Sequence, residues 1–310
     1  MKRLPACLFA VLALGGGVAQ AMVNANLTDQ SLTQHDHAAL MWRKLIAAQG
    51  NVRAQYNLGV IYTNGQGVPQ DYYEALRWFR LAATQGYALA QYNLGVMYAN
   101  GQGVSRDYQA AVQWFRLAAA KKYVRAQYSL GVAYANGLGV PQDYEEALKW
   151  YSLAAGQGNV RAQYNLGVLH ANGQGVSQDY QQAIKWYLLA AEQGYARAQF
   201  NLALIYEGGR GVPQDYQEAL KWIRLAAVQG YADAQNSLGL LYGEGRGVTQ
   251  DYVQAYMWFS LAAAKGINEA QQNREMAARK MTPLQLAEAQ RMARDCEQRN
   301  YKNCEESGAQ

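Results

Sequence analysis

Three histidines, three cysteines and a recurrent aspartate are the side chains in this chain best suited to metal binding or catalysis. His35 and His37 flank Asp36, and two imidazoles beside a carboxylate could begin a metal site. They fall in residues 22–37, a polar stretch that reads as a solvated leader, and no further ligand accompanies them. His170 stands in a slot otherwise held by Tyr62, Tyr98 and Tyr134, which makes it a packing residue with one polar tip. A general base needs a nucleophile within hydrogen-bond reach and a third group to orient it. No such set is legible, and no carboxylate pair sits alone in apolar surroundings. Asp71, Asp107, Asp143, Asp179, Asp215 and Asp251 recur at one spacing, each followed by tyrosine. Six copies of one residue in one context read as six helix caps rather than six active sites. Gly-x-Gly runs such as Gly65-Gln66-Gly67 could cradle phosphate, but a dinucleotide loop must follow a strand and no strand pattern is present. The expectation is a chain with no catalytic residue, no metal and no cofactor.

The spacing of those aspartates leads to the elements around them. All seven tryptophans lie on one lattice of 36 residues, from Trp42 through Trp78, Trp114, Trp150, Trp186 and Trp222 to Trp258. A fixed period of this length means one supersecondary unit copied along the chain. The block is A-Q-Y-N-L-G-V-x-Y-x-N-G-Q-G-V-x-x-D-Y-x-x-A-x-x-W-x-x-x-A-A-x-Q-G. Two helices fit it. In the first, Ala54, Leu58 and Tyr62 stand at i, i+4 and i+8 on one stripe. Asn64-Gly65-Gln66-Gly67 ends that helix, because glycine enters the left-handed region without steric cost. Asp71 opens the second helix, and Glu74 three residues on predicts a capping box, repeated as Asp143/Glu146 and Asp215/Glu218. Tyr72, Ala75, Phe79 and Ala82 form its buried stripe with Trp78 beside them, and Gly86 stops it; Lys122 replaces that glycine in the second repeat, which predicts a looser or differently capped end.

Gly59, Gly95, Gly131, Gly167 and Gly239 lie inside the first helix. Each costs about 1 kcal/mol against alanine, so five of them predict a neighbour too close for a Cβ. Ala203 takes that place in the fifth repeat and predicts slightly wider packing there.

This block, A-x-x-x-L-G…G-x-G-V-x-x-D…A-x-x-W…A-A-x-x-G, resembles the Sel1-like repeat, a relative of the tetratricopeptide repeat, over about residues 38–283. The resemblance implies an all-α, right-handed solenoid of antiparallel helix pairs with a concave groove. It also implies an adaptor for protein complexes, often in bacterial envelopes. Some cysteine-rich relatives are described as binding or hydrolysing β-lactams. They carry a cysteine pair in each repeat, which this chain lacks, and no Ser-x-x-Lys motif is present. A hydrolase or binding protein for β-lactam or peptidoglycan-type substrates stands as the alternative to a non-enzymatic scaffold.

The segments divide as a signal peptide 1–21, a flexible leader 22–37, a half-repeat cap 38–51, repeats 52–87, 88–123, 124–159, 160–195, 196–231 and 232–267, and capping helices with a tail over 268–310. Lys2 and Arg3, the apolar residues 6–18 and Ala19-Gln20-Ala21 form the export signal, so the mature chain is expected in the periplasm or outside the cell. Cys7 stands at the head of the apolar run rather than behind it, out of place for a lipid-modified cysteine, and Asn26-Leu27-Thr28 is a sequon of no consequence behind a bacterial-type signal. No apolar run in the mature chain is long enough to span a membrane. Thr282 and Pro283 open the last helix as N-cap and first helical residue. Cys296 and Cys304 are expected to pair as a disulfide. The net charge is +5, and +3 once residues 1–21 leave with Lys2 and Arg3. With no Lys/Arg cluster, nucleic acid is not an expected partner.

A binding face follows from the tetratricopeptide analogy. Opposite the core stripe stand Arg53, Tyr56, Val60 and Asn64, and their equivalents make ladders. These are Arg53, Arg125, Arg161 and Arg197; Tyr56, Tyr92, Tyr128, Tyr164 and Phe200; and Asn64, Asn100, Asn136 and Asn172. Aromatic rings supply rigid contact area, and Arg and Asn supply donors for a protein or peptide partner. A cell-wall glycan is the other ligand class considered. The second reading of the same residues is structural: the rings pack between repeats, and asparagine ends the helix before glycine. Towards the C-terminus the slots hold Gly208, Asp233, Asn236 and Glu244, a change to acidic and polar character. A ligand with an acidic or aromatic-compatible segment is therefore expected on the first four repeats.

Overall fold

The computed structural model describes residues 34–302 and Cys304, so the export signal and residues 22–33 of the leader lie outside the described residues. Among the described residues the chain forms fifteen α-helices and no strand, an all-α repeat solenoid. It divides into two units, which meet in sequence at Tyr123 and Val124. The first holds α1 (Gln34–Ala48), α2 (Val52–Asn64), α3 (Tyr72–Thr84), α4 (Ala88–Asn100) and α5 (Tyr108–Ala120). The second holds α6 (Val124–Asn136), α7 (Tyr144–Ala155), α8 (Val160–Asn172), α9 (Tyr180–Glu192), α10 (Ala196–Gly208), α11 (Tyr216–Ala227), α12 (Ala232–Glu244), α13 (Tyr252–Ala264), α14 (Asn268–Ala278) and α15 (Pro283–Gln298). Within each unit a first helix pairs with the second helix of its repeat, and that helix packs on the first helix of the next. Helix α1 runs from Gln34 to Ala48, so residues 34–37, expected in the leader, belong to it.

The caps correct one expectation. Asp71 accepts from the backbone N–H groups of Tyr73 and Glu74, as an N-cap should. Glu74 does not complete the box. The Asp71 N–H instead donates to the Tyr62 carbonyl at 2.9 Å, which ties the loop to the end of α2. The Glu74 carboxylate is left to accept from Trp78 Nε1 at 3.0 Å. The same substitution of partners recurs, since Asp143 donates to Tyr134 and Asp215 to Tyr206, while Glu146 and Glu218 pair with Lys149 and Lys221. Among the described residues a full capping box is seen where sequence reading placed a plain N-cap, at Thr282 and Gln285. Lys122 is not a looser end. It adopts the left-handed conformation itself, at φ 62°, where the other repeats use glycine.

The mid-helix glycines lie against rings. A Cβ on Gly59 would stand 2.5 Å from the Phe79 ring of the paired helix, and Gly95, Gly131, Gly167 and Gly239 meet Phe115, Tyr151, Tyr187 and Phe259 in the same way. In the fifth repeat the ring's place belongs to Ile223, fully buried along with Ala203. The expected wider packing is thus replaced by an exchange of volume: a methyl group on one helix for a narrower side chain on the other.

A glutamine ladder runs through the core. Gln55, Gln91, Gln163, Gln199 and Gln235 are buried, and each donates to a carbonyl near the end of the preceding second helix, such as Gln55 to Ala47 at 3.0 Å and Gln199 to Ala191 at 3.0 Å. Their oxygens accept from a second glutamine 30 residues on, as with Gln85 to Gln55 at 2.7 Å and Gln229 to Gln199 at 2.7 Å. In the second and sixth repeats that donor is Lys121 or Lys265, which reaches the Gly86 or Gly230 carbonyl instead. The Gln91 and Gln235 oxygens are then buried without a protein partner. Lys121→Gln is expected to restore the pattern and raise stability by about 0.5–1 kcal/mol, read as a higher thermal midpoint.

Helix α15 does not pair with α14 as a second helix would. It folds back on α13, and Met292, Ala293 and Cys296 join the core there. Cys296 and Cys304 form a disulfide with a Cα–Cα separation of 4.9 Å, and Lys265 stands 3.8 Å from the centroid of the Tyr301 ring. Closure of a loop this short constrains the unfolded tail by about 2–3 kcal/mol on the chain-entropy account. Reduction should therefore speed amide exchange at Tyr301 and Lys302 while α6 to α12 keep their protection.

Candidate binding face

The ladders are taken unit by unit. In the first unit Arg53, Asn64 and Asn100 are exposed, while Tyr56 and Tyr92 are half-buried. The Tyr56 ring lies 5.7 Å from Phe79 and 5.2 Å from Tyr87, the residue that precedes α4. Tyr92 repeats this with Phe115 and Tyr123. The Tyr56 ring therefore fills the seam between α3 and α4, with one edge left at the surface.

In the second unit Arg125, Arg161, Asn136 and Asn172 are exposed, with Tyr128 and Tyr164 half-buried. Tyr128 packs on Tyr151, and Tyr164 on Tyr187 and Tyr195. Phe200 holds the equivalent place against Tyr231. The asparagines of the row serve their own helix ends: Asn136 Nδ2 donates to the Val132 carbonyl at 2.8 Å, and Asn172 reaches Gln174 at 3.3 Å. Each is followed by a glycine that terminates the helix.

Sequence reading missed a second asparagine row, one residue beyond the tyrosines. Asn201 Nδ2 donates to the Tyr187 hydroxyl at 3.2 Å and to the Tyr164 hydroxyl at 3.5 Å. Asn165 is bonded in the same way to Tyr128 and Tyr151. The signal was present as Asn57, Asn93, Asn165, Asn201 and Asn273, with serine at 129 and 237. Asn273 of α14 donates to Asn236 of the sixth repeat at 3.2 Å in the core. Asn236 is therefore not part of a polar surface there, contrary to expectation. Asp233 is exposed beside Tyr231, and Glu244 is held by Arg246, which also bonds Glu207 at 3.0 Å.

Electrostatics follow the packing. Burial pushes the Tyr128, Tyr151, Tyr164 and Tyr187 hydroxyls above their ordinary 10.0. Arg161 and Arg197 oppose that shift at Tyr128, and Arg197 opposes it at Tyr164. Burial and then the Asp233 carboxylate push Tyr231 up to about 12. The folded state thus holds these phenols neutral while the unfolded chain ionises them near pH 10. Their stabilising contribution is complete below that pH and is lost as pH climbs from 10 through the raised folded values. The thermal midpoint should be flat between about pH 7 and 9 and fall above about 10, with part of the tyrosinate absorbance appearing only on unfolding.

His170 is half-buried in its tyrosine slot, and burial lowers its pKa. Tyr98 and Tyr242 accept from Arg80 and Arg224 at 2.8 Å there, and the residue equivalent to those arginines opposite His170 is Ser152. Among the described residues no group of three His, Cys, Asp or Glu is placed to hold a metal, and no helix is long and apolar enough to cross a membrane.

On α6 and α8 the arrangement offers half-exposed rings, the hydroxyls of Tyr128 and Tyr164 held by Asn165 and Asn201, with guanidinium groups in electrostatic reach. It can stack on apolar side chains and bind carboxylates and backbone amides. It contains no paired nucleophile and base.

The sequence profile of the Sel1 repeat matches residues 52–87, 88–123, 124–159, 160–195, 196–231 and 232–267. The crystal structure of a Sel1 repeat protein from Oxalobacter formigenes is 35% identical, with a TM-score of 0.62, covering 70% of this chain and 86% of that one. A protective antigen of uropathogenic Escherichia coli with the same type of fold is 27% identical, with a TM-score of 0.47, over 99% of this chain and 98% of that one. No curated protein matches the chain. Six consecutive copies of the repeat, each a helix pair and five of them carrying a glycine-on-ring contact, make this chain a member of the Sel1 repeat family.

Proposed function

We propose that this chain is an exported, non-enzymatic adaptor of the bacterial envelope that binds a protein or peptide partner along the faces of its first helices. Sel1 repeat arrays work in general as protein-interaction scaffolds, and that coarser role comes with the family. The observation that carries the finer reading is the face of α6, α8 and α10. There Tyr128 and Tyr164 keep an exposed edge, are fixed by Asn165 and Asn201, and lie within the electrostatic reach of Arg161 and Arg197. Rigid aromatic edges beside arginine are the composition of an interface core. The Cys296–Cys304 disulfide supports an oxidising compartment, in keeping with the signal-like N-terminus. The partner chemistry that fits is a segment carrying carboxylates and apolar side chains.

The test is affinity capture from an envelope extract with the mature chain, residues 22–310, and with an Arg125→Glu/Arg161→Glu/Arg197→Glu variant. All three arginines are exposed, so the variant should fold. A protein enriched by the wild type and lost with the variant is the expected result. Equal capture by both, retention on purified cell-wall polymer in place of protein, or turnover of a chromogenic β-lactam would each overturn the reading.

A further inference from the structure

The second helices carry a leucine at one fixed place, and in the second unit it meets two different fates. Leu153 of α7, Leu189 of α9 and Leu225 of α11 are 52%, 45% and 42% exposed, whereas Leu261 of α13 is 3% exposed. The difference is α15. It folds back on α13 and brings Met292, Ala293 and Cys296 into one buried cluster with Leu261. The residue four positions before each leucine changes in step. It is Lys149, Lys185 and Lys221 on the open helices, all exposed, and Met257, fully buried, on the covered one.

The pairing has a physical reason. Where a helix covers the row permanently, methionine contributes apolar area and the lysine's desolvation is avoided. Where the row is open, lysine keeps it soluble, and its aliphatic stem can still lie under a docked helix with the ammonium in water. Single half-exposed leucines are ordinary on a protein surface. Three in register, in one unit, in line with a fourth that the chain itself covers with a helix, form a row with a demonstrated mode of occupation.

We propose that Leu153, Leu189 and Leu225 seat an amphipathic helix of a partner protein, docked as α15 docks on Leu261. The occupant carries small and medium apolar residues at i, i+3, i+4 and i+7, the spacing of Ala289, Met292, Ala293 and Cys296 in α15. This surface belongs to the second helices and is separate from the first-helix face proposed above, so one array can hold two partners.

The probe is a helix-stapled peptide with the sequence of residues 283–298, Cys296→Ala, and a photo-cross-linking group in place of Met292. Its binding to the oxidised mature chain is compared with binding to Leu153→Lys/Leu189→Lys/Leu225→Lys, after circular dichroism and thermal unfolding show the variant folded. The expected result is binding to the wild type, weakened at least about tenfold in the variant, with cross-links on α7, α9 and α11. If the triple variant does not fold, Leu189→Lys alone is used, with a loss of about threefold expected. Absence of binding, equal binding to wild type and folded variant, or cross-links confined to α13 or to first helices would overturn the proposal. So would concentration-dependent self-association of the wild type that the variant abolishes, since that would put a second copy of this chain on the row.

Discussion

Gly59→Ala destabilises the chain by about 2 kcal/mol, although alanine is the better helix former by about 1 kcal/mol. The new Cβ would fall 2.5 Å from two carbons of the Phe79 ring, a distance no relaxed pair of carbons adopts. Phe79 is 2% exposed and cannot swing into solvent. The fifth repeat contains the remedy, Ala203 with Ile223 in the ring's place. Phe79→Ile in the Gly59→Ala background should therefore recover most of the loss, and the double variant should be no less stable than Phe79→Ile alone. The double-mutant cycle, measured by thermal or urea unfolding, should give a coupling energy of about 2 kcal/mol. Additive effects would mean that glycine and ring do not compete for the same volume.

The tryptophan lattice supplies the second large effect. Trp258→Ala should cost about 3–5 kcal/mol, the range for emptying a large buried site, while Trp42→Ala costs less than about 1 kcal/mol. Both occupy the same slot of the 36-residue period. Trp258 is fully buried, whereas Trp42 is 54% exposed on α1, which has no paired first helix among the described residues. The contrast separates what the period dictates, which is residue type, from what the neighbours dictate, which is energy.

The period made the helices legible. Asp71 as N-cap, Gly65 as the left-handed end of α2 and the buried run Ala75, Phe79 and Ala82 stand where the sequence places them. The mid-helix glycines announced a close neighbour, because a repeated propensity penalty needs a steric reason. The identity of that neighbour was not legible, since a ring 20 residues away is joined to Gly59 only through the pairing of α2 with α3. The capping boxes failed for the same reason: the Asp71 N–H has a tertiary partner, the Tyr62 carbonyl, which local pattern cannot reveal. The glutamine ladder was visible as a recurrence, yet its role depends on a carbonyl in the preceding helix and a donor 30 residues downstream. At the candidate face, the arginine row could be placed at the surface from helix geometry alone. The packing of Tyr128 and Tyr164 against other rings was one of the two readings the sequence offered; the identity of their partners Tyr151, Tyr187 and Tyr195 was not legible, because these come from other segments of the chain. The return of α15 onto α13 was invisible as well, since a charged terminal helix gives no sign of which face it will cover.

A photo-cross-linking residue at position 161 of the mature chain tests the adaptor account most directly. Arg161 is exposed on α8, within electrostatic reach of Tyr128, and a matched group at the exposed Ser177, in the loop between α8 and α9 and on neither proposed row, serves as the reference. In envelope extract the account predicts a discrete protein adduct at position 161, suppressed by excess unmodified chain and absent at position 177. No adduct at 161 above the level at 177 would contradict it and remove the first-helix face as the place where this protein meets its partner.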